Sequence, residues 1–242
     1  MSELWNGFRL ERFTFEDHEA LIVFPEKKDE KGRWLYKAEY FGAFPDAEIE
    51  GLKRGWHLAY VKNDNRWGTD DVRDRQARFV DHIAKTYGLS KECVPVGMSC
   101  GGMQAVILAA EYPEKVKALY LDAPVMNFLS CPGRVGRPDQ AREGMWDEFL
   151  GATGMTISEL IGWRNQPMDR LAPLIAHKIP VLMVYGDSDN TVPYHENGIH
   201  LEKAYRVAGV TLKVVGKKGC DHHPHGLENP AEIMNYLEEV TK

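Results

Sequence analysis

The chain is poor in serine and cysteine, and it has no long apolar run. Six serines and four cysteines stand among its 242 residues. Cys93, Cys100, Cys131 and Cys220 lack the paired spacing of a zinc or iron–sulfur site. They are expected to be free thiols, mostly buried as small apolar residues in a reducing compartment. No stretch reaches the roughly 20 apolar residues of a helical membrane span, so no membrane partner is expected. The opening Met1-Ser2-Glu3-Leu4-Trp5-Asn6-Gly7 has neither the basic start nor the apolar centre of a secretory signal. A cytoplasmic location is the expectation. Basic residues are scattered and the formal net charge is −6, which argues against a nucleic-acid partner. Internal repeats and low-complexity tracts are also missing, which sets aside solenoids and disordered tails. What remains is an ordinary globular composition, 43% hydrophobic and 27% charged. It is sufficient for one well-packed domain over residues 1–242. A homo-oligomer is compatible with the composition.

The order of apolar patterns predicts mixed α and β structure. Phe8–Phe15 and Ala20–Phe24 read as two antiparallel strands joined through Glu16-Asp17-His18-Glu19. A strand at Trp34–Tyr40, a helix at Ala47–Arg54 and a strand at His57–Val61 follow. Val72, Phe79, Val80 and Ile83 recur at helical spacing, and Gly88 stands at a stop position, so Asp70–Tyr87 is predicted as one amphipathic helix. Strand Val94–Val96, helix Gln104–Tyr112 and strand Val116–Leu121 continue the alternation. It lapses between Val125 and Ala172, where prolines and glycines precede helical patterns at Ala141–Leu150 and Ile157–Ile161. This segment is predicted to be an inserted lid over residues 125–172. The alternation resumes with strand Val181–Tyr185, helix His195–Ala208, strand Thr211–Val215 and helix Pro230–Val240. A hairpin followed by βα units implies a mainly parallel central sheet with helices on both faces. In such sheets reactive groups collect beyond the carboxyl ends of the strands.

One such end carries Val94-Pro95-Val96-Gly97-Met98-Ser99-Cys100-Gly101-Gly102. At this serine and glycine content, chance placement gives about 0.05 Gly-x-Ser-x-Gly pentapeptides in a chain of this length. The glycines leave room for a sharp strand-to-helix turn that lifts the serine oxygen above the sheet. Ser99 is therefore the candidate nucleophile, with helix capping as its structural alternative. A serine hydroxyl is a weak nucleophile near neutral pH. It needs an imidazole to take its proton and a carboxylate to orient that imidazole. Both residue types follow later strands. Gly186-Asp187-Ser188-Asp189-Asn190-Thr191-Val192-Pro193 offers Asp187 and Asp189; Gly219-Cys220-Asp221-His222-His223-Pro224-His225-Gly226 offers three imidazoles.

Through Gly-Met-Ser-Cys-Gly-Gly, Gly-Asp-Ser-Asp-Asn-Thr-Val-Pro and the Gly-x-x-His-His-Pro-His loop, the chain resembles the α/β-hydrolases. Tyr40-Phe41-Gly42-Ala43-Phe44-Pro45 and Gly55-Trp56-His57-Leu58-Ala59-Tyr60-Val61 make it similar to bacterial prolyl-oligopeptidase-like and carbohydrate-esterase-like serine hydrolases. The resemblance implies an α/β-hydrolase fold with Ser99 as nucleophile, Asp189 as the acid and His222 as the base. It gives Asp187 a turn-bracing role, makes His223 and His225 neighbours of the base or substrate-facing, and keeps Asp187 and His225 as alternative acid and base. Asp122, at the end of the strand after the nucleophile helix, is another alternative acid, with capping of the lid's first turn as its structural role. Backbone N–H groups of Cys100 and of Tyr40 or Phe41 are the expected oxyanion donors. Related sequences often carry arginine where Cys100 stands, so any substrate contact made by such an arginine does not transfer.

The expected activity is hydrolysis of a carboxylic ester, such as an acylated carbohydrate, through an acyl-enzyme. Hydrolysis of a small peptide or amide is the alternative within the same chemistry, and a ligand-binding sensor with little turnover is the alternative outside it. No cofactor and no metal are expected. Neighbouring histidines such as His222 and His223 are expected to point apart, and His195 and His200 to lie on the surface. Met145, Trp146, Met155, Trp163 and Met168 suit either packing within the lid or the lining of a pocket.

Overall fold

The computed structural model describes residues 3–137 and 144–242. Its order opens with β1 (Glu3–Trp5), β2 (Phe8–Phe15), β3 (His18–Phe24), β4 (Trp34–Lys37), α1 (Asp46–Lys53), β5 (His57–Val61), α2 (Asp70–Tyr87) and β6 (Val94–Met98). α3 (Cys100–Glu111), β7 (Leu119–Asp122), α4 (Met145–Thr153), α5 (Ile157–Gly162) and α6 (Leu171–Ala176) follow. β8 (Val181–Gly186), α7 (Gly198–Ala208), β9 (Leu212–Lys217) and α8 (Ala231–Val240) close the chain. Among the described residues the strands form one nine-stranded sheet in the order β1-β2-β3-β5-β4-β6-β7-β8-β9. β1, β2, β3 and β5 pair antiparallel in sequence, and every pair from β5 through β4 to β9 is parallel.

Alternation along the central strands divides the core into two layers. Trp34 and Tyr36 of β4, with Ala59 and Val61 of β5, pack with Phe79 of α2, Val106 of α3 and Leu201 of α7. The opposite face, with Leu35 and Leu58, receives Leu52 of α1 and Ile233, Met234 and Leu237 of α8. Helices thus cover both faces, as the pattern of βα units predicts. A third cluster joins Cys100, Met103 and Ile107 of α3 to Phe128, Trp146, Phe149 and Leu160. The segment after β7 therefore packs onto α3 through a separate apolar cluster.

Several predicted boundaries move for local reasons. The first hairpin turns on Glu16 and Asp17 alone, both with positive φ (46° and 64°), and His18 already pairs with Phe15. β4 stops at Lys37, short of Tyr40, whose φ of 58° is incompatible with a strand. α3 begins at Cys100, four residues before its predicted start, because Gly101 and Gly102 hide the first turn from a propensity reading. The helix predicted from His195 splits into a short 3₁₀ turn at Tyr194–Glu196 and α7. At the break, the buried Asn197 amide accepts from the Met126 and Asn127 N–H groups and donates to Ser130 Oγ and Pro193 O. α6 straddles the predicted end of the lid, since Leu171 and Leu174 join the large core. The start of the predicted helix Ala141–Leu150 lies outside the described residues, and α4 covers its remainder. No helix of the described residues is long and apolar enough to cross a membrane. Cys93, Cys100 and Cys131 are buried and Cys220 half-buried, all as free thiols.

Candidate active site

Ser99 follows β6 in a conformation that side chains rarely adopt, with φ 52° and ψ −120°. Its backbone is held on both sides: Ser99 N–H donates to Asp122 O at 2.9 Å, and Ser99 O accepts from Val125 N–H at 3.0 Å. The flanking glycines are sterically required. A Cβ on Gly97 would lie 2.5 Å from Gly101 O, and one on Gly102 would lie 2.6 Å from Pro124 Cβ. The local sequence therefore dictates the turn that presents Ser99 Oγ at the carboxyl edge of the sheet.

Two neighbouring strand ends supply its partners. The loop after β9 places His222 so that Nε2 lies 3.1 Å from Ser99 Oγ, and its Nδ1 lies 2.7 Å from Asp189 Oδ2 in the loop after β8. The other Asp189 oxygen accepts from the Thr191 and Val192 N–H groups at 2.8 Å each. Burial works to raise the Asp189 carboxyl. The His222 hydrogen bond and charge, with the two backbone donors, outweigh it and hold the group below the usual carboxylate range. An ionised Asp189 fixes the tautomer of His222 with the proton on Nδ1, leaving the Nε2 lone pair facing the serine hydroxyl.

The alternatives occupy other places. Asp187 is exposed and accepts from the Gly219 N–H at 2.7 Å, so it braces the β8 and β9 loops against each other. Asp122, read from sequence as a cap for the lid's first turn, has a different partner. It is buried at the end of β7, where its oxygens accept from His225 Nδ1 at 2.8 Å and Gly226 N–H at 2.6 Å. His225 thus has its own carboxylate, while Ser99 faces His222. His223 is exposed and stacks on Phe44 at 5.3 Å between ring centroids. Burial, then the charges of His222 and His225, push its imidazole below the usual value. The expectation that these histidines point apart is overturned: their ligand nitrogens lie within 4.8 Å of one another. Asp189 and Asp122 draw His222 and His225 into the same cleft from two different strands. His195 and His200 are exposed, as expected.

The cleft has a volume of about 370 Å³, and its walls include Tyr40, Phe44, Met98, Met145 and Thr191 around Ser99 and the three histidines. Of Met145, Trp146, Met155, Trp163 and Met168, Met145 reaches this cleft. Trp146 stacks on Phe149 and Trp163 on Phe128, while Met168 packs against the large core. Met155 and Trp163 border a separate cavity. Arg66 also lines the cleft and makes a two-pronged ion pair with Glu148 of α4, at 2.8 and 2.7 Å. Nothing in its immediate sequence distinguishes it from a solvated charge. The available signal is its position, just beyond the carboxyl end of β5.

Next to Ser99, Cys100 is the first residue of α3, where helical N–H groups have no partner within the helix. Its thiol is fully buried and pushed up to about 11 by burial, so it stays protonated. In the loop after β4, Tyr40, with φ 58°, lines the cleft together with Ser99. A buried ion pair secures this loop from below. Lys37 Nζ donates to Glu48 Oε1 at 2.5 Å and to Ala43 O at 3.2 Å, with both charged side chains almost fully enclosed. Lys37→Met is expected to lower stability by about 3–5 kcal/mol, because it strands the Glu48 charge. Adding Glu48→Leu is expected to restore most of the loss; urea denaturation midpoints of the single and double variants check both outcomes.

Comparison with known proteins agrees with this architecture. Residues 57–154 match a family model described as the alpha/beta hydrolase fold. Over 151 residues the chain is 23% identical to the acylamino-acid-releasing enzyme of Sus scrofa, a match covering 61% of the chain and 20% of that protein. The chain therefore corresponds to about a fifth of that relative's length. Among solved structures, Est1E from Butyrivibrio proteoclasticus superposes with a TM-score of 0.63 at 15% identity, covering 96% of this chain and 98% of Est1E. Acylaminoacyl peptidase from Pyrococcus horikoshii superposes with a TM-score of 0.65 at 14% identity, covering 89% of this chain and 37% of that one.

Proposed function

We propose that this chain, which has the α/β-hydrolase fold, is a serine hydrolase that cleaves a carboxylic ester of modest size, such as an acylated carbohydrate. The observation that carries the reading is the continuous hydrogen-bonded line from Asp189 through His222 to Ser99 Oγ at a strained strand-to-helix turn. In the first half-reaction the Ser99 Oγ–acyl carbon bond forms while the hydroxyl proton passes to His222 Nε2. Asp189 stabilises the imidazolium. The negative charge on the carbonyl oxygen is met by the Cys100 N–H and by an N–H at Tyr40 or Phe41, where each donor contributes about 3 kcal/mol. Collapse breaks the bond to the alcohol, which leaves with the proton from His222. Water then gives a proton to the same nitrogen as it attacks the acyl carbon; collapse breaks the Ser99 Oγ–acyl bond, the His222 proton returns to Ser99 Oγ, and the acid leaves.

Two features favour an ester. Est1E, an esterase, is matched along nearly its whole length, whereas the peptidase relatives are matched over a fifth to about two-fifths of theirs. The cleft, largely apolar and about 370 Å³, suits a short acyl group. The match to the acylamino-acid-releasing enzyme favours a second reading, cleavage of an N-acylated aminoacyl bond. Rapid mixing with p-nitrophenyl acetate and butyrate tests the mechanism. A burst of nitrophenolate close to one equivalent per chain is expected where deacylation is slower than acylation. Absence of both burst and steady turnover across an acyl series would remove the hydrolase reading. Matched esters and aminoacyl anilides with the same acyl group then divide the two substrate classes by kcat/KM.

A further inference from the structure

The three imidazoles of the cleft are arranged for more than proton transfer. His222, His223 and His225 lie pairwise 4.8–4.9 Å apart between ring centroids, with interplanar angles of 61°, 80° and 87°. The three rings are therefore steeply inclined to one another. Each offers a nitrogen to a common space in which the ligand atoms are mutually within 4.8 Å.

Two of the three are prepared as metal ligands by the groups behind them. His222 and His225 direct Nδ1 at buried carboxylates, Asp189 at 2.7 Å and Asp122 at 2.8 Å. A carboxylate on Nδ1 fixes the proton there and aims the Nε2 lone pair. That is the support metal-binding histidines ordinarily have. Asp122 is itself held by the Gly226 N–H and by the Tyr120 hydroxyl. The third ring, on exposed His223, rests on the face of Phe44, with no carboxylate hydrogen-bonded to its nitrogens among the described residues.

We propose that His222, His223 and His225 form an inhibitory site for a borderline transition-metal ion of the zinc type. Three imidazole nitrogens suit zinc, copper or nickel, and suit magnesium and calcium poorly. Zinc–nitrogen bonds of about 2.0–2.1 Å bring tetrahedral ligand nitrogens to roughly 3.3 Å separation, so the cluster tightens by about 1.5 Å at most. His223, the exposed member of the three, would make most of that movement. The fourth position falls to water or to Ser99 Oγ, which lies 3.1 Å from His222 Nε2. Coordination occupies the lone pair of His222 that would accept the serine proton. The ion therefore blocks hydrolysis instead of assisting it; this consequence, unlike binding itself, rests on the serine hydrolase reading.

Binding and inhibition are measured separately. Calorimetric titration of the Ser99→Ala protein with zinc chloride is expected to give one site per chain. Cobalt(II) is expected to give the visible bands of a tetrahedral complex. In active protein, micromolar zinc is expected to inhibit ester turnover reversibly, with recovery on adding EDTA and no effect of magnesium or calcium. His223→Ala and His223→Gln are each expected to weaken zinc binding by a factor of about ten or more. The midpoint of inhibition should shift equally when referred to each variant's own metal-free rate. Zinc binding that is absent, or unchanged in both His223 variants and in His225→Gln, overturns the site. Zinc that binds with the expected ligand dependence to a protein lacking turnover leaves the site standing and counts against the hydrolase reading alone.

Discussion

Replacing Ser99 with alanine is expected to lower kcat for an activated ester by a factor of about 10⁵ to 10⁶, with little change in thermal stability. The size of the effect follows from what Ser99 does. In the proposed mechanism it forms the covalent bond that divides one difficult hydrolysis into two easier steps, and no neighbouring group is placed to substitute for it. Cys100, the adjacent nucleophile by composition, is buried and held protonated by its surroundings. Residual activity above that of water should come from the N–H groups that receive the oxyanion and from binding in the cleft. Steady-state turnover of p-nitrophenyl butyrate, with protein concentration checked by quantitative amino-acid analysis, measures the loss. A decrease of less than about a hundredfold would mean that the chemistry runs elsewhere.

The second large effect is expected from Asp189→Asn, which should lower kcat by about 10⁴, equivalent to roughly 5.5 kcal/mol of activation free energy. The substitution is nearly isosteric. The amide oxygen can keep the hydrogen bonds from the Thr191 and Val192 N–H groups that Asp189 Oδ1 now accepts. The amide nitrogen then faces His222 Nδ1, where it can only donate. His222 must adopt the opposite tautomer, with its proton on Nε2, and so presents a donor to Ser99 Oγ in place of a lone pair. The loop remains folded while the base is disabled. Asp187→Asn, by contrast, changes a turn brace on Gly219 and should cost less than tenfold in the same assay. The pair of substitutions, assayed together with circular dichroism, separates orientation of the imidazole from support of the loop.

The sequence shows the site more clearly than it shows the cleft around it. Ser99, Asp189 and His222 are legible because the chemistry constrains both residue type and place: each follows a strand, and glycine stands where a side chain would collide. The strands themselves are legible where alternation or buried β-branched runs persist, as in β5 and β8. Legibility fails where a tertiary contact overrides a local pattern. Asn197 breaks a helix that periodicity would continue, because its amide is needed by the backbone at Met126 and Asn127. Asp122 reads locally as a cap, and only the arrival of the β9 loop, about a hundred residues later in sequence, makes it the partner of His225. The convergence of His222, His223 and His225 is hidden for the same reason, since two carboxylates from separate strands set the ring directions. Arg66 and Met145 enter the cleft from different segments, and neither belongs to a motif.

The most direct test of the central claim is to react the protein with a fluorophosphonate and locate the adduct by mass spectrometry, comparing wild type with His222→Ala. One equivalent of label on Ser99, formed far more slowly in the variant, is the expected result: the electrophile reports both the identity of the nucleophile and its dependence on the base. Labelling at any other residue, or an undiminished labelling rate in His222→Ala, would contradict a serine activated by His222.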